Sequence, residues 1–143
     1  MLKKILYATD LSEASLKALD MAEDLALKNN SSVIVLTVIP EETLWEGYYV
    51  PELTDFMNKL LSETDQKLRE FIKNRFKGLS VEKVIARGIP YEEIVRIASE
   101  KKVDLIIMGS HGRTGLGHVL LGSVAMRVLR RASQPVLIVK STP

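Results

Sequence analysis

Met108-Gly-Ser-His-Gly-Arg-Thr-Gly-Leu-Gly-His-Val-Leu-Leu-Gly-Ser-Val124 contains five of the chain's eight glycines. The apolar run Leu105 to Met108 before it reads as a buried strand. After it come Ala125, Val128, Leu129 and Ala132, whose spacing of 0, 3, 4 and 7 positions marks one face of a helix. Strand, glycine-rich loop and helix in succession make a grammar for binding anions. Glycine lets backbone N–H groups approach a phosphate without a Cβ in the way, and a helix N-terminus adds unpaired donors and partial positive charge. Ser123 is expected at the cap of that helix.

Two familiar phosphate fingerprints do not fit the stretch. A Walker A loop ending at Gly112-Arg113-Thr114 would need its first glycine where Ile107 stands, and one running from Gly117 to Gly122 would need lysine in place of Ser123. The dinucleotide pattern G-x-G-x-x-G, started at Gly115 and Gly117, meets Leu120 at its last position. The spacing actually present is Gly109, two residues, Gly112, nine residues, then Gly122-Ser123.

Working outward, the rest of the chain alternates strands and helices. Lys4 to Thr9 reads as a first strand ending at Asp10. Ser12 then stands as N-cap of a helix whose apolar positions are Ala18, Met21, Ala22 and Leu25, up to the break at Asn29-Asn30-Ser31. Val33 to Ile39 is continuously apolar and rich in β-branched residues, the mark of a strand covered on both faces. A connection from Pro40 to Pro51 carries Trp45, Tyr48 and Tyr49. Leu53, Phe56, Met57, Leu60, Leu61, Thr64, Leu68, Phe71 and Ile72 then trace the stripe of a long helix expected to end near Gly78. Val81 to Arg87 is a third strand, and Gly88-Ile89-Pro90 turns into a helix with Pro90 near its first position and Tyr91, Ile94, Val95 and Ala98 facing inward. Asp104 to Met108 makes the fourth strand and Val136 to Val139 the fifth.

Five strands alternating with four helices predict a single domain over residues 1–143: an open, mostly parallel α/β sheet with helices on both faces. Ligands of such sheets bind beyond the carboxyl ends of the strands, where strand order reverses. The chemically distinctive loops follow strands one and four, so the reversal falls most economically between them, giving order 3-2-1-4-5. The order 2-1-3-4-5 would instead set the loop after strand one beside Arg87-Gly88-Ile89-Pro90.

With strands one and four adjacent, Asp10 and Gly109 face one crevice. A carboxylate there accepts hydrogen bonds from ribose hydroxyls or an adenine amine while the glycine loop holds phosphates; the alternative for Asp10 is capping of the first helix. Gly109, Gly112 and Gly122 read as phosphate contacts, against turn geometry alone. Arg113 reads either as a contact to a terminal phosphate or as a solvent-exposed residue. His111 reads as a hydrogen-bonding loop residue, since it has no second histidine, cysteine or carboxylate at ligand spacing. The apolar strand Val136 to Val139, protected only by Lys140, lies at an edge and invites pairing with a second copy.

Composition narrows the classes further. At 143 residues the chain suffices to bury roughly 68–70% of its unfolded surface. Cysteine is absent, which excludes disulfides, thiolate metal sites and cysteine nucleophiles and suits the cytoplasm. The first ten residues hold only a five-residue apolar run, shorter than a signal-peptide core, and no later run approaches the length of a membrane span. Twenty basic residues against eighteen acidic give a net charge of +2, too balanced to imply nucleic acid; the basic cluster Arg127, Arg130 and Arg131 sits where cations complement a helix dipole.

The long glycine spacing, together with Lys3-Lys4-Ile5-Leu6 leading to Thr9-Asp10, Val38, Gly88-Ile89-Pro90 with Ile94 and Ala98, Asp104 to Gly109, and Pro135 to Val139, resembles the ATP-binding branch of the universal stress protein family over nearly the whole chain. The resemblance implies a Rossmann-like fold in which Asp10, with Ala8 and Thr9 beside it, and the backbone of Val38 hold adenosine. It places Met108 and Gly109 against the nucleoside and Gly112, Gly122, Ser123 and Val124 on the phosphates. It further implies ATP as ligand, often with Mg2+ or Mn2+ on the phosphates, and homodimers through the last strand. Ala8 stands where many members have proline or valine, and Gly117-His118 replaces a more polar or basic pair.

Three functions from different classes fit these readings. The first is a nucleotide-responsive regulatory homodimer with a protein partner and no role at nucleic acid or membrane. The second is a slow ATP hydrolase or nucleotide-dependent transferase, disfavoured by the missing loop lysine and general base. The third is a flavin carrier on a similar sheet; failing any nucleotide chemistry, the chain reads as a dimerising interaction domain.

Overall fold

A computed structural model describes residues 1–41, 50–111 and 121–141, with side chains in the second helix described from Leu53 onward. Its elements are β1 (Lys4–Ala8), a 3-10 turn (Glu13–Ser15), α1 (Leu16–Asn29), β2 (Ser32–Pro40), α2 (Val50–Phe71), β3 (Val81–Gly88), α3 (Pro90–Glu100), β4 (Leu105–Gly109), α4 (Ser123–Arg131) and β5 (Val136–Val139). The strands form one parallel sheet in the order β3-β2-β1-β4-β5. Ala8 lies opposite Leu36 on one side and Met108 on the other, so β1 and β4 are neighbours and the alternative order is excluded.

Strand side chains alternate between two cores. Leu6, Ala8, Ile34, Leu36, Ile106 and Met108 pack with Ile94, Ile97, Ala98, Ala125 and Val128, the inner positions of α3 and α4. Ile5, Tyr7, Val33, Val35, Leu105 and Ile107 pack with Ala18, Leu19, Ala22 and Ala26 of α1, and with Leu68 and Phe76. Burial on both faces is the reason these strands read as continuous apolar runs.

Several local expectations shift. Met21 is exposed, and the inner face of α1 is Leu19 with Ala18, Ala22 and Ala26, three small side chains that let the helix approach the sheet. On α4, Leu129 points outward while Ala125 and Val128 are buried; on α3, Ile97 is buried and Val95 only half-buried. The long helix ends at Phe71 rather than near Gly78. Asn74, Phe76 and Gly78 all have positive φ and turn the chain so that the Phe76 ring enters the core. Glu23 on α1 secures that turn, accepting the Phe76 N–H at 2.7 Å and pairing with Arg75 at 3.1 Å. The outermost strand, β5, is half-buried at all four residues and, among the described residues, is paired within the sheet only to β4.

Candidate functional site

The carboxyl ends of β1, β2 and β4 and the first turns of α3 and α4 enclose a cleft of about 340 Å3, within the roughly 300–1,000 Å3 of small-molecule sites. Nine of the eleven residues singled out from the sequence line it: Ala8, Thr9, Asp10, Val38, Met108, Gly109, Gly122, Ser123 and Val124. Gly112 and Arg113 lie outside the described residues, as do Trp45, Tyr48 and Tyr49.

After β1 the chain turns sharply, with Leu11 at φ 66°. Polar side chains hold that turn. Ser15 Oγ donates to the Ser12 carbonyl at 2.8 Å, leaving its oxygen to accept from the Thr9 hydroxyl at 2.8 Å, while Thr9 Oγ1 accepts the Leu11 N–H at 2.9 Å. Every hydroxyl in this buried chain therefore has a defined direction. Asp10 Oδ1 accepts from both the Ser12 N–H and its hydroxyl, which fixes the carboxylate at the mouth of the cleft. Ser12 consequently does not serve α1 as a side-chain cap: it opens the 3-10 turn, and α1 starts only at Leu16. Behind the turn, the Tyr7 hydroxyl donates to the Ser15 carbonyl at 2.9 Å; burial pushes its pKa above the ordinary tyrosine value despite that bond.

On the opposite wall Gly122, not Ser123, is the N-cap of α4, and Ser123 is the first helical residue. The first bond back to the cap comes from the Met126 N–H to the Gly122 carbonyl at 3.0 Å. The N–H groups of Ser123, Val124 and Ala125 thus have no intrahelical acceptor, and all three residues line the cleft. No acidic side chain occupies that first turn, so its partial positive charge is available to an anion. Close approach favours the glycine: a Cβ at 122 would sit 3.2 Å from the Ser110 carbonyl oxygen, so that the neighbouring backbone would have to give by a few tenths of an ångström. Ser110 is buried and ties three elements together, its N–H donating to Val139 of β5 at 3.0 Å and its carbonyl accepting from Gly122 N–H at 2.6 Å.

Between these polar ends the wall is apolar, built by Leu36, Val38, Pro40, Pro90 and Ile94. Sequence reasoning assigned Pro90 and Ile94 only to structure. They reach the site because α3 crosses back over β2, a tertiary contact with no motif of its own. His111 also lines the cleft, with Nδ1 3.0 Å from Ser110 Oγ, as a hydrogen-bonding loop residue should. Among the described residues no group of three histidine, cysteine or carboxylate side chains converges as a metal site. Nor is any described helix long and apolar enough to cross a membrane.

Residues 1–140 match the model of the universal stress protein family. The chain belongs to that family. Universal stress protein MJ0577 of Methanocaldococcus jannaschii is 39% identical, the match covering 98% of this chain and 96% of that protein. The solved MJ0577 structure superposes with a TM-score of 0.90 at 41% identity, covering 100% of this chain and 99% of the other. Universal stress protein YxiE of Bacillus subtilis is 35% identical over 98% of this chain and 100% of its own length. A universal stress protein solved in complex with cAMP is 28% identical, with a TM-score of 0.63 and coverage of 99% of this chain and 98% of that one. This universal stress protein shares with those structures the five-stranded sheet that places the ends of β1 and β4 side by side.

Proposed function

We propose that this universal stress protein belongs to the ATP-binding branch and works as a homodimeric module whose surface responds to the nucleotide in its cleft. The observation that carries the reading is the convergence, in one cleft, of a fixed carboxylate at Asp10, an apolar wall and the open first turn of α4. Those three features match in order the ribose, base and phosphates of an adenine nucleotide. Leu36, Val38, Pro40, Pro90 and Ile94 offer a surface for the base. The carboxylate of Asp10 accepts from ribose hydroxyls, and the N–H groups of Ser123, Val124 and Ala125 meet the phosphates, with Gly109, Gly112 and Arg113 completing the loop side. The cAMP held by a relative carries the same adenosine and phosphate chemistry. A divalent ion, Mg2+ or Mn2+, would be carried by the phosphates rather than by a protein ligand cluster.

Micromolar affinity, about −8 kcal/mol, requires several donors when each hydrogen bond to a charged group contributes roughly 1.5–3 kcal/mol. The turn at Gly122 supplies that number. Dimerisation runs through β5, whose four apolar residues sit at the sheet edge, with Met126 and Leu129 exposed together on one side of α4. A protein partner reads the dimer, and hydrolysis, if present, is slow.

Denaturing the purified protein and identifying the released nucleotide tests the reading, followed by ATP titration of stripped protein and sedimentation with and without ATP. Released ATP, or micromolar binding by a dimer, is expected. A protein that releases nothing and does not bind ATP at millimolar concentration refutes the nucleotide reading and leaves a dimerising interaction domain.

A further inference from the structure

Arg127, Arg130 and Arg131 of α4 are all exposed, and none pairs with a carboxylate among the described residues. Arg69, Arg75 and Arg96, by contrast, each hold an ion pair. Two of the α4 guanidiniums share a single aromatic ring: Arg127 lies 5.2 Å and Arg131 5.8 Å from the centroid of Tyr91 on α3. The ring attracts each cation, but the cations repel one another. Stacking also restricts the rotamers of both side chains, so less freedom is lost when an anion bridges them. Positions 127, 130 and 131 are related by three and four residues, neighbours on the helix surface at about 5–6 Å between Cβ atoms.

We infer that the α3–α4 surface formed by Tyr91, Arg127, Arg130 and Arg131 is a docking site for an acidic segment of a partner protein, with carboxylates spaced as on one face of a helix. Charge and size choose this occupant over a nucleic acid. The cationic surface, residues 127–131, covers little more than one turn of one helix, and α3 beside it carries the carboxylates of Glu92, which accepts the Tyr91 hydroxyl at 3.3 Å, and of Glu93 and Glu100, both paired with Arg96. A phosphate backbone, with a charge every few ångströms along its length, would run from the arginines onto those carboxylates. A short carboxylate cluster ends before reaching them. Arg127 and Arg131 lie on the side of α4 that meets Tyr91 of α3, opposite Leu129, while Arg130, four residues from Met126, sits at the rim of the patch; a dimer formed over Leu129 and β5 therefore leaves the Tyr91 pair accessible.

Fluorescence anisotropy of a labelled oligoglutamate peptide with nucleotide-stripped full-length protein tests the inference independently of ATP. Binding is expected to weaken with salt and to fall about tenfold in R127Q/R131Q. An intermediate loss is expected in R127K/R131K, which keeps the charge but not the planar fork, and in Y91L, which leaves the arginines and removes their platform. Circular dichroism confirms that each variant is folded, and the lysine variant keeps the test open should Y91L fold poorly. Three results would overturn the inference: no peptide binding at low salt, binding unaltered in R127Q/R131Q, or arginine-dependent preference for oligothymidylate or phosphatidylserine vesicles over the peptide.

Discussion

Replacing Gly122 by valine separates the two demands placed on that residue, the approach of α4 to Ser110 and the presentation of donors to an anion. Its φ of −70° and ψ of 166° are open to any residue, so backbone strain contributes nothing. Contact does: a Cβ would meet the Ser110 oxygen at 3.2 Å and the His111 Cα at 3.6 Å, and the γ-carbons of valine add bulk beyond it. The neighbouring backbone must shift by a few tenths of an ångström, a cost of roughly 1–3 kcal/mol. At about 4 °C per kcal/mol for a chain of this length, the melting temperature should fall by about 4–12 °C. The same shift moves the α4 first turn relative to Asp10. Losing two of its phosphate bonds removes about 3–6 kcal/mol of binding, a factor of about 10²–10⁴. Ser123→Ala removes at most one such bond from an exposed side chain, worth about 10- to 150-fold, with little effect on stability. Calorimetric ATP titration of both variants, with thermal melts alongside, measures each quantity. Equal affinities in two folded variants would refute the assignment of phosphate binding to this turn.

Three further outcomes concern the frame around the cleft. Ser15→Ala strands the buried Thr9 hydroxyl and should cost about 1–3 kcal/mol in urea unfolding, because a buried donor loses its acceptor. Glu23→Ala should cost about 1.5–3 kcal/mol, since it takes the acceptor from the Phe76 N–H and one of two carboxylates from Arg75, which keeps Asp20 at 2.7 Å. Asp24→Ala, which breaks only an exposed pair with Lys28, should stay within about 0.5 kcal/mol, so equal effects on unfolding midpoints would contradict the account of that turn. Finally, Tyr7 has its folded pKa raised by burial above the ordinary value of about 10. Its contribution is intact below about pH 10; above it the unfolded tyrosine loses its proton while the buried hydroxyl keeps it, and stability falls as pH rises. Tyr7→Phe should flatten that alkaline decline in pH-dependent melts, and an unchanged slope would remove Tyr7 as its source.

Much of the site was legible because chemistry and topology coincide in local sequence. Asp10 follows, and Gly109 ends, a strand that reads clearly as a strand, and the wide glycine spacing over residues 109–122 points to the same end of the sheet. What could not be read there depends on neighbours distant in the chain. Pro90 and Ile94 join the wall because α3 folds back over β2, and the preference for glycine at 122 comes from Ser110, whose own bond reaches to β5. Helical periodicity located α1 but placed Met21 inward, since a stripe of apolar residues does not say which part of it meets the sheet. The end of α2 was misjudged because a left-handed turn at Asn74 and Phe76, held by Glu23 from α1, has no glycine or proline where the helix stops.

By itself the sequence determined the alternation of strands and helices, the two-faced burial of the sheet and the loops that carry polar chemistry, since periodicity, turn residues and glycine spacing are local properties of the chain. Strand order 3-2-1-4-5 was suggested by the two chemically distinctive loops, but only the tertiary structure chose it over 2-1-3-4-5. It alone decided that the Ser15–Thr9–Asp10 turn faces the start of α4 across an apolar wall and that two arginines share the Tyr91 ring. Each depends on residues brought together from separate elements by burial of the two cores.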